Sequence, residues 1–442
     1  MKIIKALLVL LLLLSLKVVH GQKVLTLKEC VATGLKSSAN YQLKQLEVLS
    51  AEVVHRSPAL EYLPTVNFTG NHTYNIGSVI DPSTNNRVSS KILSDNFSIN
   101  AGITLLDLNT FTTARRNKIA VLKATADKDA IAAEYTQSVI DQYITALYSQ
   151  ELLKIQVNQF NNATFNLDWV TKEVTTGKRP KSDLYDMQTS YSQEENTMLQ
   201  TRQQLYNQKL TLLHLMNQSD MNPDDFVLAA EVYTAPAEPL TVDQIYAKAL
   251  TNAPALKAAG YSESVAKKEI SMQRNLALPT LSAYYSYSSF YYQPLNQPGN
   301  PSVNPFWKQL NDNKNHYVGL QLAVPLFNGL KTSNKVQQAK VNLEKSRVAY
   351  EQEKLKLKQA IEQEDARRLQ GVELADKMEV TRGFAEKSFT TTQSKFSSGI
   401  VDAITFTASK NQLLMAEYNL LKARITAAHA NIKLQYLQLY QL

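Results

Sequence analysis

Two aspartates, Asp183 and Asp402, have the strongest claim to chemistry in this 442-residue sequence, because each sits a few residues past a glycine in a similar setting. The first closes the run Gly177-Lys178-Arg179-Pro180-Lys181-Ser182-Asp183, the second the run Ser398-Gly399-Ile400-Val401-Asp402. An acid in the first turn of a helix is favoured by the helix dipole whatever the protein does, so capping is the plain reading of both. If copies of the chain were set around an axis, either carboxylate would form a ring. Mutual repulsion would raise its pKa, and its field would attract cations. Other chemistry is sparse. His55, His72, His214, His316 and His429 lack metal-ligand spacing, and no glycine-rich phosphate loop is present. Cys30, the single cysteine, reads as a buried apolar residue of a helix and excludes an intrachain disulfide framework. Asp220, Asp224 and Asp225 read as a solvated linker rather than a calcium site. No catalytic residue, metal or cofactor is expected, and the chain does not read as an enzyme.

The two glycines each follow a very long helical stretch. Thr112 to Thr176 contains neither proline nor glycine, and Leu330 to Ser397 contains no proline and only Gly371 and Gly383. A helix of some 65 residues is about 100 Å long, far beyond globular habit, and implies coiled-coil-like packing. Glycine just past a helix end is the usual left-handed cap, so each long helix turns back and a second helix returns antiparallel. In the last of these, Leu413, Ala416, Leu420, Ala423, Ala427, Ala430, Leu434 and Leu437 keep 3–4 spacing, and Leu414, Tyr418, Leu421, Ile425, Ala428 and Ile432 form a second seam. Two adjacent seams with a polar back (Lys422, Arg424, His429, Lys433) suit the wall of a helical barrel.

The tripeptide Leu-Pro-Thr occurs twice, around Pro64 and Pro279, 215 residues apart, and the same offset pairs Leu25-Thr26 with Leu240-Thr241. Such self-similarity suggests an internal duplication. Each proline ends a helix and turns the chain into a strand. Val66 to Ile76 and Phe97 to Leu105 alternate apolar and polar residues, as do the aromatic-rich Leu281 to Tyr292 and His316 to Leu326. Period-two alternation over about ten residues has the length of a tilted transmembrane strand. Four strands cannot close a useful barrel, whereas three chains supply twelve.

Met1 to Gly21 reads as a secretory signal, with a basic start and an apolar core too short to span a bilayer. The expected repeats are 22–230 (strand hairpin about 66–106, helical hairpin about 112–217) and 231–442 (about 281–326 and about 330–441), with the proline-bearing linker Asn217 to Leu240 between them. The formal charge of +8 is spread along the chain, which argues against nucleic acid as a partner.

This order of signal, helix, Leu-Pro-Thr, strand pair, long helix, glycine turn and returning helix, run twice, resembles the TolC family of outer membrane efflux channels. Val324-Pro325-Leu326-Phe327-Asn328-Gly329 is similar to that family's strand-to-helix junction, and Ser398-Gly399-Ile400-Val401-Asp402 resembles its periplasmic turn. The resemblance covers the whole mature chain. It implies a mostly α fold with β structure: a homotrimer with a twelve-stranded barrel among outer membrane lipids, continued by an α-helical barrel in the periplasm. It further implies an inner-membrane pump, of the RND type before others, and a periplasmic adaptor docking at the tip formed by Gly177, Lys178, Arg179, Lys181, Ser398, Gly399, Ile400 and Val401. Acids near the second turn narrow the family's pore. Asp402 stands at the first such position, Thr405 replaces the second acid, and Asp183 belongs to the other hairpin. The second turn lacks the arginine with which family members latch one hairpin to the other. Drug or ion efflux and protein secretion are both open, and a secreted coiled-coil protein without a pore is the rival from another class.

Overall fold

The computed structural model describes residues 23–80, 85–230, 241–295 and 303–441. The signal segment, the linker residues 231–240 and the loop prolines Pro298 and Pro301 lie outside the described residues. The order helix, helix, strand, strand, long helix, returning helix runs twice, the first half adding β1 and β4 and the second α7 between its strands. The first half has β1 (Lys23–Leu25), α1 (Leu27–Ser37), α2 (Ala39–Leu60), β2 (Thr65–Ile80), β3 (Arg87–Leu106), α3 (Leu108–Thr175), α4 (Lys181–Leu215) and β4 (Phe226–Leu228). The second has α5 (Val242–Asn252), α6 (Pro254–Asn275), β5 (Thr280–Pro294), α7 (Phe306–Asp312), β6 (Asn315–Ala323), α8 (Lys331–Ser397) and α9 (Ala403–Leu439). The correspondence reaches the caps: Thr26 with Glu29, and Thr241 with Gln244, close reciprocal capping boxes at α1 and α5.

The chain divides into two compact units, and each draws on both halves. One comprises 47–125 and 258–350 and holds a four-stranded antiparallel sheet in the order β2-β3-β5-β6. Each Leu-Pro-Thr lies at a junction: α2 ends at Leu60 and β2 starts at Thr65, while α6 ends at Asn275 and β5 starts at Thr280. Pro325 lies between β6 and α8. The register puts Phe68, Ile99, Tyr287 and Val318 on one face with their neighbours two residues away, and Asn67, Asn100, Ser286 and Tyr317 on the other. The first face is apolar, yet Phe68 is 67 %, Val318 80 % and Leu320 69 % exposed. Neither β2 nor β6 has a second neighbour among the described residues.

The strands depart from the sequence reading in two ways. The stretch between the alternating segments Val66–Ile76 and Phe97–Leu105 is largely strand as well, with β2 and β3 paired as far as Ile80 and Arg87. A backbone ladder needs no apolar side chains, so serine and asparagine did not mark its end. Conversely, the proline-rich stretch before β6 contains the unanticipated helix α7, whose Gln309 side-chain amide bonds the Tyr292 backbone N–H (3.0 Å) and carbonyl (3.1 Å), capping the edge of β5 beyond the end of β6.

The other unit comprises 126–257, 351–442 and the N-terminal residues to Leu46. Its main core joins Val139, Tyr143 and Leu147 of α3 to Leu212 and Leu213 of α4 and Ile425 and Tyr436 of α9. Cys30 is fully buried beside them, and burial pushes its thiol up to about 12, so it is inert. Leu25 ends a short strand: β1 pairs in parallel with β4, inside the stretch read as linker. The helix α8 is continuous through Gly371. A Cβ on Gly371 would lie 2.9 Å from the Ala427 backbone nitrogen, so this glycine admits close approach of α8 to α9.

Candidate functional site

Both glycine turns have one geometry. Gly177 (φ +74°) donates to the Val174 carbonyl while Lys178 reaches back to Glu173; Gly399 (φ +75°) donates to Phe396 while Ile400 reaches back to Lys395. These are paired Schellman caps, in which a residue at positive φ satisfies the last carbonyls of the helix. Lys178 also pairs with Glu173 at 3.4 Å.

What holds the two turns together is Arg179. Its guanidinium bonds the Asp183 carboxylate at 2.8 Å, and the two side chains are each only 6 % exposed. It lies 5.0 Å from the Trp169 ring centroid and 4.1 Å from that of Phe396, and it donates to the Phe396 main-chain carbonyl. Trp169, Arg179 and Asp183 belong to the first hairpin and Phe396 to the second. Phe396 stacks on Phe406 at 4.5 Å, and with Val170, Met187 and Ala403 these form a small closed core under both turns. The planar fork of arginine suits a site that offers one carboxylate, one carbonyl and two ring faces.

The acids expected at a pore therefore part company. Asp183 is not free to line one: it is buried, and its carboxylate is occupied by Arg179, which it holds in place. Asp402 is exposed at the N-cap of α9, accepting from the Thr405 N–H at 2.9 Å. The Thr405 side chain, and then that N–H, hold the Asp402 carboxyl below its usual value. Lys181, Ser398, Ile400 and Thr405 are exposed, and Val401 is half-buried at the tip core. An arginine latch does exist, but it comes from the first turn rather than the second. Its signals in the sequence were Trp169 ten residues before it and Asp183 one turn after it.

A second tie, missed in the sequence, lies two turns from the tip. Lys410 of α9, 4 % exposed, reaches Ser190 (3.1 Å) and Glu194 (2.8 Å) of α4. Phe406, Lys410 and Leu413 share the spacing of the apolar seam, so a lysine on that seam was the visible clue. Further along, Asp141 of α3 binds His429 (2.7 Å) and Lys433 (3.0 Å) of α9, and Lys433 also reaches Glu364 of α8 (3.4 Å). Burial disfavours the Asp141 carboxylate, but the bonds from His429 and Lys433 outweigh it and its pKa falls below the usual value. Among the described residues, no cluster could hold a metal ion.

The model of the outer membrane efflux protein family matches residues 44–218 and 245–437. No curated protein matches the sequence. Among solved structures, the fold is similar to that of CusC, described for transmembrane channel formation (TM-score 0.76, 15 % identity, 93 % of this chain and 91 % of that one). It is also similar to the outer membrane protein VceC of Vibrio cholerae (0.74, 14 %, 93 % and 96 %) and the CmeC outer membrane channel of Campylobacter jejuni (0.75, 13 %, 93 % and 85 %). With matched segments in both halves and the same architecture throughout, the chain belongs to the outer membrane efflux protein family, that of the TolC channels.

Proposed function

We propose that this chain is the exit duct of a tripartite efflux system. Three copies close a twelve-stranded barrel in the outer membrane, and their helices continue it as an α-helical barrel in the periplasm. A periplasmic adaptor docks at the paired turns, and an inner-membrane pump of the RND type drives small molecules through. The observation that carries this reading is the sheet. Its four strands have two edges without a further strand among the described residues, one apolar face exposed to the surroundings and one polar face. Open edges and a bare apolar face are liabilities in water, and both are relieved by closure into a barrel within lipid. The exposed Leu43, Leu46, Leu49, Val53 and Leu60 on α2 support association between copies, being surface that the single chain leaves unpartnered. On this reading 22–230 and 231–442 are two copies of one ancestral unit, and Asp402 forms the charged ring at the tip. A secreted coiled-coil protein would leave the sheet unexplained.

The test is the conductance of the purified protein in planar bilayers, wild type beside Asp402→Asn. Asparagine keeps the cap and removes only the charge. A cation-selective conductance that loses selectivity in the variant supports duct and ring together. Unchanged selectivity removes Asp402 from the constriction, and release of the folded protein from membranes by carbonate removes the barrel.

A further inference from the structure

The helix α7 does not simply cross the sheet. Its Phe306 packs edge-on against Phe97 (6.1 Å) and Tyr291 (5.1 Å), and the Ser289 hydroxyl donates to the Leu310 carbonyl at 2.6 Å. Phe97, Ser289 and Tyr291 all belong to the apolar face. Between α7 and that face is a groove of about 460 Å³, lined by Phe68, Phe97, Ile99, Tyr287, Trp307 and Leu310 and also by Lys314. Trp307 is 79 % exposed.

Position along the strands says what could fill the groove. Going from the helix-proximal ends, the apolar face presents Ile103, Ala101, Ile99 and Phe97 on β3 and then reaches Asp95, bonded to His72 at 2.5 Å. With His316, which faces the Ile99–Tyr287 row on the same face and pairs with the Tyr285 hydroxyl, that pair brings ionisable side chains to the rows around the groove, while Tyr74, Leu93 and Ile76 continue the apolar face beyond. Lys314 stands immediately before β6 begins, next to Asn315, which pairs with Ser288, and so near the Phe97–Ser289 row. It makes no ion pair among the described residues. Resting on the barrel reading above, we propose that the groove is a site for a phosphate-bearing membrane lipid. One acyl chain lies between α7 and the aromatic wall, and the headgroup phosphate meets Lys314. Tryptophan at such a level suits an interfacial anchor, and a single lysine near a phosphate favours an anionic over a zwitterionic headgroup. Protein provides one side of the groove from the sheet and the other from α7, so this lipid is held more firmly than lipid against the bare strands.

Trp307 reports on the site directly. The other tryptophan, Trp169, lies in the tip core and gives a constant background. Full-length protein is placed in nanodiscs with increasing mole fractions of phosphatidylglycerol carrying dibrominated acyl chains, or of phosphatidylcholine carrying the same chains. Saturable quenching is expected, with a midpoint about fivefold lower for phosphatidylglycerol, the preference one lysine confers. Lys314→Glu should abolish that preference, and unbrominated phosphatidylglycerol should restore wild-type fluorescence better than phosphatidylcholine does. Quenching that rises in proportion to mole fraction, equally for both lipids, would overturn the site while leaving the lipid-facing sheet intact. Absence of quenching by either lipid would overturn both.

Discussion

Replacing Arg179 with alanine should release the two turns from each other. The ion pair with Asp183 is nearly dry, since both side chains are 6 % exposed. Removing one partner of a buried pair leaves the other charged in a poor solvent and costs about 3–5 kcal/mol. The main-chain carbonyl of Phe396 also loses its donor. The strain falls on a small core, so it should appear as local opening rather than global unfolding. At roughly 1.4 kcal/mol per factor of ten, the lower bound corresponds to amide exchange on the order of a hundredfold faster across 165–187 and 389–406. Hydrogen exchange read by mass spectrometry measures this segment by segment, with the α3–α4–α9 core around Tyr143 as an internal reference. Arg179→Lys should be intermediate, keeping the charge but losing the fork and the stacking. The double variant Arg179→Met with Asp183→Leu should approach wild type, because the cost comes from an abandoned charge rather than from the loss of the pair. Exchange in Arg179→Ala within about threefold of wild type, the effect expected of a solvated surface pair, would refute the reasoning. So would a double variant as open as the single one, since packing alone would then carry the tip.

Two glycines in α8 should respond oppositely to alanine. Gly383 has open space where a Cβ would go, so Gly383→Ala should stabilise by about 0.4–1 kcal/mol. At Gly371 the added carbon meets the Ala427 backbone, so Gly371→Ala should destabilise by about 1–3 kcal/mol; thermal melts of the pair decide it. Asp141 makes the junction of α3 and α9 acid-sensitive. Its folded pKa lies below the ordinary 3.8, so its contribution is complete above that pH and is lost as pH falls through the lowered value. Acid titration followed by near-ultraviolet dichroism should lose a step in Asp141→Asn, and an unchanged profile would assign the acid response elsewhere.

Much of the fold was legible because long-range order is written in short-range signals. Proline-free stretches, a glycine after each, and Leu-Pro-Thr before each strand pair pointed to the order of the main elements and to the family. Strand ends were harder: β2 and β3 run on through serine, asparagine and lysine, since their ladder depends on backbone groups that every residue carries. The helix α7 was hidden for a related reason. Seven residues are too few for a period, and its place is set by Gln309 and Phe306 meeting β5 in space. At the tip, the sequence put Asp402 ahead of Asp183 as a pore acid but offered a pore role to both, since both follow a glycine turn at the start of a helix. Their difference lies in Arg179, one helical turn before Asp183, and in Phe396 across the hairpins, and only the first of these is local in the sequence.

That difference carries the functional argument. The two turns share one backbone, with glycines of matching φ and the same pair of cap bonds, as duplication would leave them. Their acids differ. In the first turn the acid faces inward, and with Arg179 it fastens one hairpin to the other. In the second, Asp402 faces solvent and bonds only within its own helix start. A tip that must both hold together and present charge to an axis cannot do both with the same carboxylate, because a buried pair screens its own field. On the proposed reading, in which 22–230 and 231–442 are copies of one unit and Asp402 faces the axis, one turn supplies the clasp and the other the charge. Charge-reversal at the two sites should therefore separate: Asp183→Lys should open the tip to exchange, whereas Asp402→Lys should leave exchange near wild type and invert the ion preference of the channel. Loss of the clasp in both variants would mean that the two turns act as one.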